Sequence, residues 1–342
     1  MLLVVNYHYI RESPTSKYPG IFAVTPSQLR QQLESIGRDF LIITPEELLR
    51  MYSKGKDIGD GYYCLITFDD QFIEQYTLAK PILDSLNIKA LFFINGSCLE
   101  NRRVNTVHKI HWLRSIIPPG KFIEIVESAL RKACINVPVS FERFQPAEGQ
   151  NIYDTLEVRY IKYLLNHMLS SEITEKIIEE IYKKYNDSEA DHSNTLYMNK
   201  DMIADLADKS MVGSHGYEHD VKSNLSETEM IKDFQRNQYM LEGLTGKKTP
   251  FISYPYGGKK AVSLKVAKCA ADSGHSIGFT IERAVNLSFS QPLLLARFDT
   301  NDAPAGKRPL LNVNKKKYDT IPPATFGRKW FFNEIEKGDV AG

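Results

Sequence analysis

Short apolar runs alternate along the chain with segments of amphipathic helical pattern. Residues 2–6 and 62–68 have the length and apolar content of buried strands. Between them, Leu29, Leu33 and Ile36 are spaced to lie on one face of a helix. The same reasoning predicts strands at 40–43, 90–94, 211–213, 251–254, 276–280 and 293–298, helices at 71–86 and 259–273, and capping boxes that start helices at 44–47 and 226–229. This order predicts a parallel sheet with helices outside it.

The middle of the chain breaks this alternation and is mostly helical in pattern. Apolar residues recur at helical spacing through 156–169 and 173–185, and strand-like runs are scarce. We therefore predict a helical insertion at about 101–208 within a barrel domain that spans 1–310. The polar residues 311–342 are predicted to form a C-terminal tail or a surface wrap.

The composition is that of an ordinary globular protein, because 42% of the 342 residues are hydrophobic and 25% are charged. Lys and Arg number 43 against 42 Asp and Glu, so no basic field favours nucleic-acid binding. No apolar run reaches the roughly 18 residues that span a bilayer. The start of the chain lacks the basic region of a signal peptide. These features predict a cytoplasmic protein whose scattered cysteines stay reduced.

Residues capable of chemistry follow three of the predicted strands. They are Asp69 and Asp70, then His215 and His219, and finally Tyr254, Pro255 and Tyr256. Because catalytic groups of parallel α/β folds collect at the carboxyl ends of strands, we expect these residues to lie on one side of the sheet.

The two histidines at i and i+4 can bind one metal ion if they share one face of a helix or helical turn. Asp69 or Asp70 would then complete a site of two histidines and one carboxylate, which leaves positions open for water and substrate. The other aspartate can act as general base on the attacking water. The spacing alone does not decide which aspartate has which role.

The order of these motifs resembles that of the polysaccharide deacetylase family, also called carbohydrate esterase family four. The resemblance covers about 1–100 and 210–302. It is carried by Tyr7-His8, Thr67-Phe68-Asp69-Asp70, His215-x-x-x-His219, Tyr254-Pro255-Tyr256-Gly257, Gly278-Phe279-Thr280 and Ala296-Arg297-Phe298-Asp299. The resemblance implies a distorted (β/α)7-type barrel that hydrolyses N-acetyl groups of amino sugars with one divalent metal, usually zinc.

By the same resemblance, Asp69 is the catalytic base, and Asp70, His215 and His219 are the metal ligands. The backbone amide of Tyr256 is expected to stabilise the oxyanion of the tetrahedral intermediate together with the metal.

Further residues are candidates for contacts with the substrate or with the groups above. These candidates are Arg297, Asp299, Tyr217, Tyr254 and Pro255. Arg297 and Asp299 either steady the base and ligands through charge-assisted hydrogen bonds or form an ordinary ion pair at a strand end. The rings of Tyr217 and Tyr256 are expected to line a sugar site.

The chain departs from the family pattern at three places. Gly216 follows the first metal histidine, where the family often has serine or threonine. Ser253 stands where many members have an arginine that orients the base. The family's late Leu-x-His motif, whose histidine protonates the leaving amine, has no clear match. The general acid is therefore left open between His275, His8 and a shuttling Asp69, and a packing role for His8 is an equal alternative.

Two functions follow from these features. The first is removal of an N-acetyl or N-formyl group from an amino sugar, expected to be an intracellular glycan, glycolipid or nucleotide-sugar intermediate. The second, suggested by the departures, is a catalytically degenerate barrel that binds a glycan. The oligomeric state does not follow from the sequence.

Overall fold

The computed structural model describes residues 1–12, 23–55, 57–136, 139–145, 154–307, 309 and 311. These residues form two compact units. One unit comprises Met1–Glu12, Ala23–Asn101 and the described residues from Asn194 onwards, and the other comprises Arg102–Ser193.

The first unit is built on a sheet in which every strand pair is parallel. Its strands are β1 (Leu2–Tyr7), β2 (Leu41–Ile42), β3 (Tyr63–Phe68), β4 (Leu91–Ile94), β5 (Val212–Ser214), β6 (Phe251–Ser253), β7 (Ile277–Phe279) and β8 (Phe298–Asp299). The strand order is β7-β6-β5-β4-β3-β1-β8, and β2 pairs with β3 beside this path. Parallel strands need helical crossovers, which explains the alternating pattern of the sequence.

One segment joins the two edges of this sheet. Leu295 forms a parallel bridge with Phe279 of β7, and Phe298 pairs with Val5 of β1. The sheet therefore curls into a distorted barrel, and the predicted parallel α/β barrel is confirmed.

The two faces of the sheet are both apolar, as expected where helices cover a parallel sheet. Leu3 and Val5 point outward into a core shared with the surrounding helices. Leu2 and Val4 point inward and pack in a separate cluster with Phe93. Because side chains alternate along a strand, every second residue near a strand end faces the barrel interior.

Twelve α-helices accompany the strands in the described part of the chain. They are α1 (Pro26–Asp39), α2 (Pro45–Ser53), α3 (Lys80–Ser85), α4 (Gly96–Asn101), α5 (Thr106–Ile116), α6 (Pro119–Lys132), α7 (Leu156–Tyr163), α8 (Ser171–Tyr182), α9 (Glu189–Leu196), α10 (Lys200–Asp208), α11 (Glu227–Thr245) and α12 (Leu264–Asp272). Thr44 and Ser226 form the predicted capping boxes with Glu47 and Glu229, which satisfy backbone N–H groups at the starts of α2 and α11.

The second unit has its own hydrophobic core, in which α5, α6, α7 and α8 contribute Leu113, Phe122, Ile161 and Ile178. It is shorter than the insertion proposed from the sequence at 101–208, because α10 packs in the core of the first unit. The proposed tail 311–342 lies outside the described residues except for Leu311, which is buried. Within the described part of the chain, no helix has the length and apolar composition to cross a membrane.

Candidate functional site

Polar residues gather in the first unit where β1, β3, β5 and β6 end. His8 follows β1, and Asp69 and Asp70 follow β3. His215 and His219 come after β5, and Tyr256 comes after β6. The parallel order thus brings the predicted catalytic and metal-binding residues together, as the carboxyl ends of such strands do in other α/β proteins.

Three of these residues form a compact group of metal-ligating atoms. The Asp70 Oδ1 atom lies 3.3 Å from His215 Nε2 and 3.2 Å from His219 Nε2. The ligand atoms of all three residues lie within 4.8 Å of one another. Two imidazoles and one carboxylate are a donor set typical of catalytic zinc, so the residues fit a divalent metal ion.

A hydrogen bond to the backbone of β6 fixes the orientation of His215. Its Nδ1 lies 2.8 Å from the carbonyl oxygen of Ser253, which can only accept, so Nδ1 carries the proton. The Nε2 lone pair is then directed toward Asp70, as a metal ligand requires. Burial lowers the pKa of the free imidazole, but the carboxylates of Asp69 and Asp70 outweigh burial and raise it above its ordinary value.

The two histidines do not lie on a helix, although their spacing suggested a helix or helical turn. Residues 215–221 form an irregular loop between β5 and a short 3-10 turn at Lys222–Asn224. Gly216 has a positive φ of 74° in this loop, a conformation that costs glycine little. The loop, not a helix, brings the rings to a centroid distance of 5.2 Å.

Asp69 is buried in a set of directed hydrogen bonds on the inner face of the barrel. Both of its oxygens accept from the guanidinium of Arg297, at 2.9 and 2.8 Å. The Asn6 amide donates to Oδ2 at 3.0 Å, and the Ser253 hydroxyl lies 3.2 Å from the same atom. Many family members have an arginine beside the base at the position of Ser253. In this chain Arg297 takes that place beside Asp69.

These contacts keep Asp69 ionised. Burial would raise the pKa of this carboxyl, but the charge and hydrogen bonds of Arg297, with smaller contributions from His215 and His8, lower it to about 2. Arg297 is itself buried and also donates to the carbonyl of Thr280. The site therefore holds a fixed carboxylate, ionised at neutral pH, next to the group of metal ligands.

The backbone at Asp70 is held in an unfavourable conformation. Asp70 and Gln71 have positive φ angles of 73° and 47°, and such strain is found mainly where surrounding contacts enforce it. The Gln71 side chain accepts from the backbone N–H of Asn95 at 2.6 Å. Gln75 donates to the Asp69 carbonyl at 2.6 Å and to the His8 carbonyl at 2.9 Å. No sequence motif pointed to Gln71, Gln75 or Asn95.

Tyr256 also has a positive φ, of 62°, and the residue is 41% exposed. The ring packs edge-on against His219 at a centroid distance of 5.1 Å. Among the described residues, none accepts a hydrogen bond from the Tyr256 N–H. This backbone amide is therefore available to a ligand beside the metal-binding group.

The two histidines considered as general acids lie in different surroundings. The side chain of His8 is 39% exposed, and its Nε2 lies 4.0 Å from oxygens of both Asp69 and Asp70. His275 is only 4% exposed, contacts Phe234, and places Nδ1 3.2 Å from the Ala270 carbonyl. The structure brings His8, and not His275, to the carboxylates.

Other candidates proposed from the sequence are buried or hydrogen-bonded to other protein groups. Tyr217 is 1% exposed, and its hydroxyl donates to Glu100 at 2.8 Å, so it offers no surface to a sugar. Tyr254 is buried and donates to the Leu293 carbonyl, and Pro255 is buried as well. Asp299 accepts hydrogen bonds from the backbone and side chain of Asn301 and so shapes a turn.

Comparison with known proteins gives a partial match to a family model and a shared fold. Residues 139–273 match the family model described as polysaccharide deacetylase, a range that includes His215, His219 and Tyr256. No curated protein sequence matches the chain.

Several solved structures share the fold. The Streptococcus pyogenes deacetylase PplD in complex with acetate is 15% identical, with a TM-score of 0.53 over 92% of this chain and 98% of that one. IcaB from Ammonifex degensii is 18% identical, with a TM-score of 0.51 over 87% of this chain and 90% of that one. The BpsB deacetylase domain from Bordetella bronchiseptica is 13% identical, with a TM-score of 0.50 over 87% and 95%. At these identities the structures are evidence for the fold alone.

The family model and the order of the motifs agree with this barrel fold. The match over residues 139–273 and the order of the motifs support the polysaccharide deacetylase family for this chain, and that family in turn supports a sugar deacetylase activity.

Proposed function

We propose that the chain is a metal-dependent hydrolase that removes an N-acetyl or N-formyl group from an amino sugar. The observation that carries this proposal is the group formed by Asp70, His215 and His219 beside the ionised carboxylate of Asp69. A protein that only binds a glycan has no need for a charged base held 2.8 Å from a buried arginine next to a ligand set. A cytoplasmic location and an intracellular substrate remain predictions from the sequence.

Asp70, His215 and His219 would hold the metal ion. When bound there, a divalent cation supplies Lewis-acid polarisation of the acyl carbonyl. Asp69 takes a proton from the water that attacks the carbonyl carbon, and the Tyr256 N–H donates to the oxygen that becomes negative. The C–N bond then breaks as the amine nitrogen receives a proton, which releases the free acid and the amino sugar.

We assign the proton donor for the leaving amine to His8. A general acid must reach the substrate, and His8 combines exposure with a position 4.0 Å from both aspartates. Burial lowers the pKa of His275 to about 4, so this residue is neutral near pH 7 and does not supply an imidazolium as the acid.

A pair of substitutions tests this assignment. His8→Gln should lower kcat by roughly 10²–10⁴-fold, the usual contribution of general acid–base catalysis, and should leave the metal content unchanged. His275→Gln should lower thermal stability, because it disturbs a buried site, but should preserve kcat. Steady-state kinetics of acetate release distinguish the two variants, and a normal kcat in His8→Gln would remove His8 from this role.

Metal content tests the proposed function itself. After reconstitution and desalting, the wild type should contain about one zinc ion per chain, as expected for a site with three protein ligands. His215→Ala should lose it, whereas His275→Gln should keep it. The metal-loaded wild type should release acetate or formate from N-acylated amino sugars. Bound metal without acyl release across a panel of such sugars would instead favour the glycan-binding alternative.

A further inference from the structure

A buried ion pair lies directly behind the loop that holds the two histidines. The Lys222 side chain is completely buried, and its Nζ lies 2.5 Å from Oδ2 of Asp233 on α11. Neither residue belongs to the group of metal ligands, and no sequence motif pointed to either of them. Burying two charges is costly unless additional hydrogen bonds satisfy them, so the surroundings of this pair show what it stabilises.

All of those additional hydrogen bonds go to the residues between the histidines. Asp233 accepts from the backbone N–H of Tyr217 at 3.2 Å and of Glu218 at 2.8 Å. Lys222 donates to the carbonyl of Glu218 at 2.7 Å. The two side chains therefore hold the Tyr217 N–H and both backbone groups of Glu218, in the segment that sets the distance from His215 to His219. The carbonyls of Gly216 and Tyr217 accept instead from Asn95 and Ser97.

Gly216 completes this arrangement. A Cβ atom at this position would lie 2.8 Å from Lys222 Nζ and 2.9 Å from Asp233 Oδ2, closer than real Cβ contacts. The ion pair thus occupies the space that a side chain after the first histidine would need. This explains physically why glycine stands where the related motif often has serine or threonine.

We infer that Asp233 and Lys222 are positioning residues that fix the loop between His215 and His219 and thereby set the affinity for the metal ion. The inference rests on the proposed function, because it presumes metal binding by the two histidines. A loop held by these bonds before binding does not lose conformational freedom when the metal binds. A loop without them has to be ordered by the metal itself, which weakens binding.

The test is the dissociation constant for Zn²⁺, measured by competition with a chromogenic chelator. Asp233→Asn should weaken Zn²⁺ binding by roughly 10- to 100-fold, as loss of outer hydrogen-bond partners typically does. Visible absorption of the Co²⁺-substituted protein should change as well, since it reports the ligand geometry. Lys222→Met/Asp233→Asn, which leaves no unpaired charge, provides a second variant if Asp233→Asn does not fold.

A control is an ion pair of the second unit, where Nζ of the buried Lys109 lies 2.5 Å from the partly exposed Glu179. Glu179→Gln should lower stability but leave the Zn²⁺ affinity and the Co²⁺ spectrum as in the wild type. Wild-type affinity and an unchanged spectrum in the Asp233 variants would overturn the inference while leaving the proposed function intact. If the wild type itself binds no Zn²⁺, the proposed function fails, and the inference fails with it.

Discussion

Asp69→Asn is expected to lower kcat for acyl release by roughly 10²–10⁴-fold, because asparagine cannot take the proton of the attacking water. The substitution keeps the shape of the side chain and its place beside Arg297. Since Asp69 is not among the three clustered ligands, the bound metal should remain. Kinetics and metal content should therefore be measured on the same preparation.

Asp70→Asn is the matched control, since it makes the same chemical change at the adjacent residue. Asp70 belongs to the group of metal ligands, so this variant should lose the metal and the activity together. If Asp69→Asn lost its metal in the same way, Asp69 would be a ligand and not a base. A wild-type kcat in Asp69→Asn would exclude the base role.

The placement of the site could be predicted from apolar runs alone. Runs at 62–68 and 211–213 predict parallel strands, and Asp69 and His215 follow them directly. Because parallel strands present the same end to one side of a sheet, the two residues were expected on the same side, whatever the helices between them did. The prediction of where the site lies therefore did not depend on the structure of the 110 residues between Ile94 of β4 and Asp205 of α10.

The residues that bind Asp69 could not be predicted from the apolar runs. Ser253 lies two residues after the inward-facing Phe251, and Arg297 lies two residues after the inward-facing Leu295. Because side chains alternate along a strand, both side chains lie inside the barrel. This alternation is visible in the sequence and could have predicted that they face inward. Arg297 contacts Asp69 only because residues 295–299 close the barrel. No local sequence pattern determines this closure.

The backbone conformation between the two histidines was predicted wrongly, for a different reason. A spacing of four residues suits a helix, yet the same two rings converge in an irregular loop with Gly216 at positive φ. What stabilises that loop is Asp233, which lies 14 positions beyond His219 on another element. Local spacing indicated the metal site but could not reveal the structure that forms it.

Arg297→Met is expected to destabilise the protein by about 3–5 kcal/mol at pH 7, the usual cost of leaving one member of a buried ion pair unpaired. Methionine fills much of the apolar part of the side chain, so the loss is mainly electrostatic. Asp69 would keep its burial but lose both guanidinium hydrogen bonds, so its pKa would rise above the ordinary value. Chemical denaturation at several pH values measures the effect.

The dependence on pH separates this electrostatic loss from a simple packing defect. In the wild type the pKa of Asp69 is about 2, below the ordinary 3.8, so its contribution to stability is present above that value and disappears as the pH falls toward 2. In Arg297→Met the buried, ionised carboxylate of Asp69 destabilises the folded state near pH 7. Protonation of this carboxylate removes the destabilisation. The stability difference between the two proteins should therefore narrow as the pH is lowered from 7 to 4.

A second substitution supplies the control for that prediction. Asp69→Asn/Arg297→Met removes the unpaired charge, so this double variant should be more stable at pH 7 than Arg297→Met, although it differs from the wild type at one more position. Its stability relative to Arg297→Met should fall as the pH is lowered, because acid removes the charge from the single variant as well. If the double variant is the less stable at pH 7, the guanidinium of Arg297 contributes through packing and its bond to the Thr280 carbonyl, not by compensating the charge of Asp69.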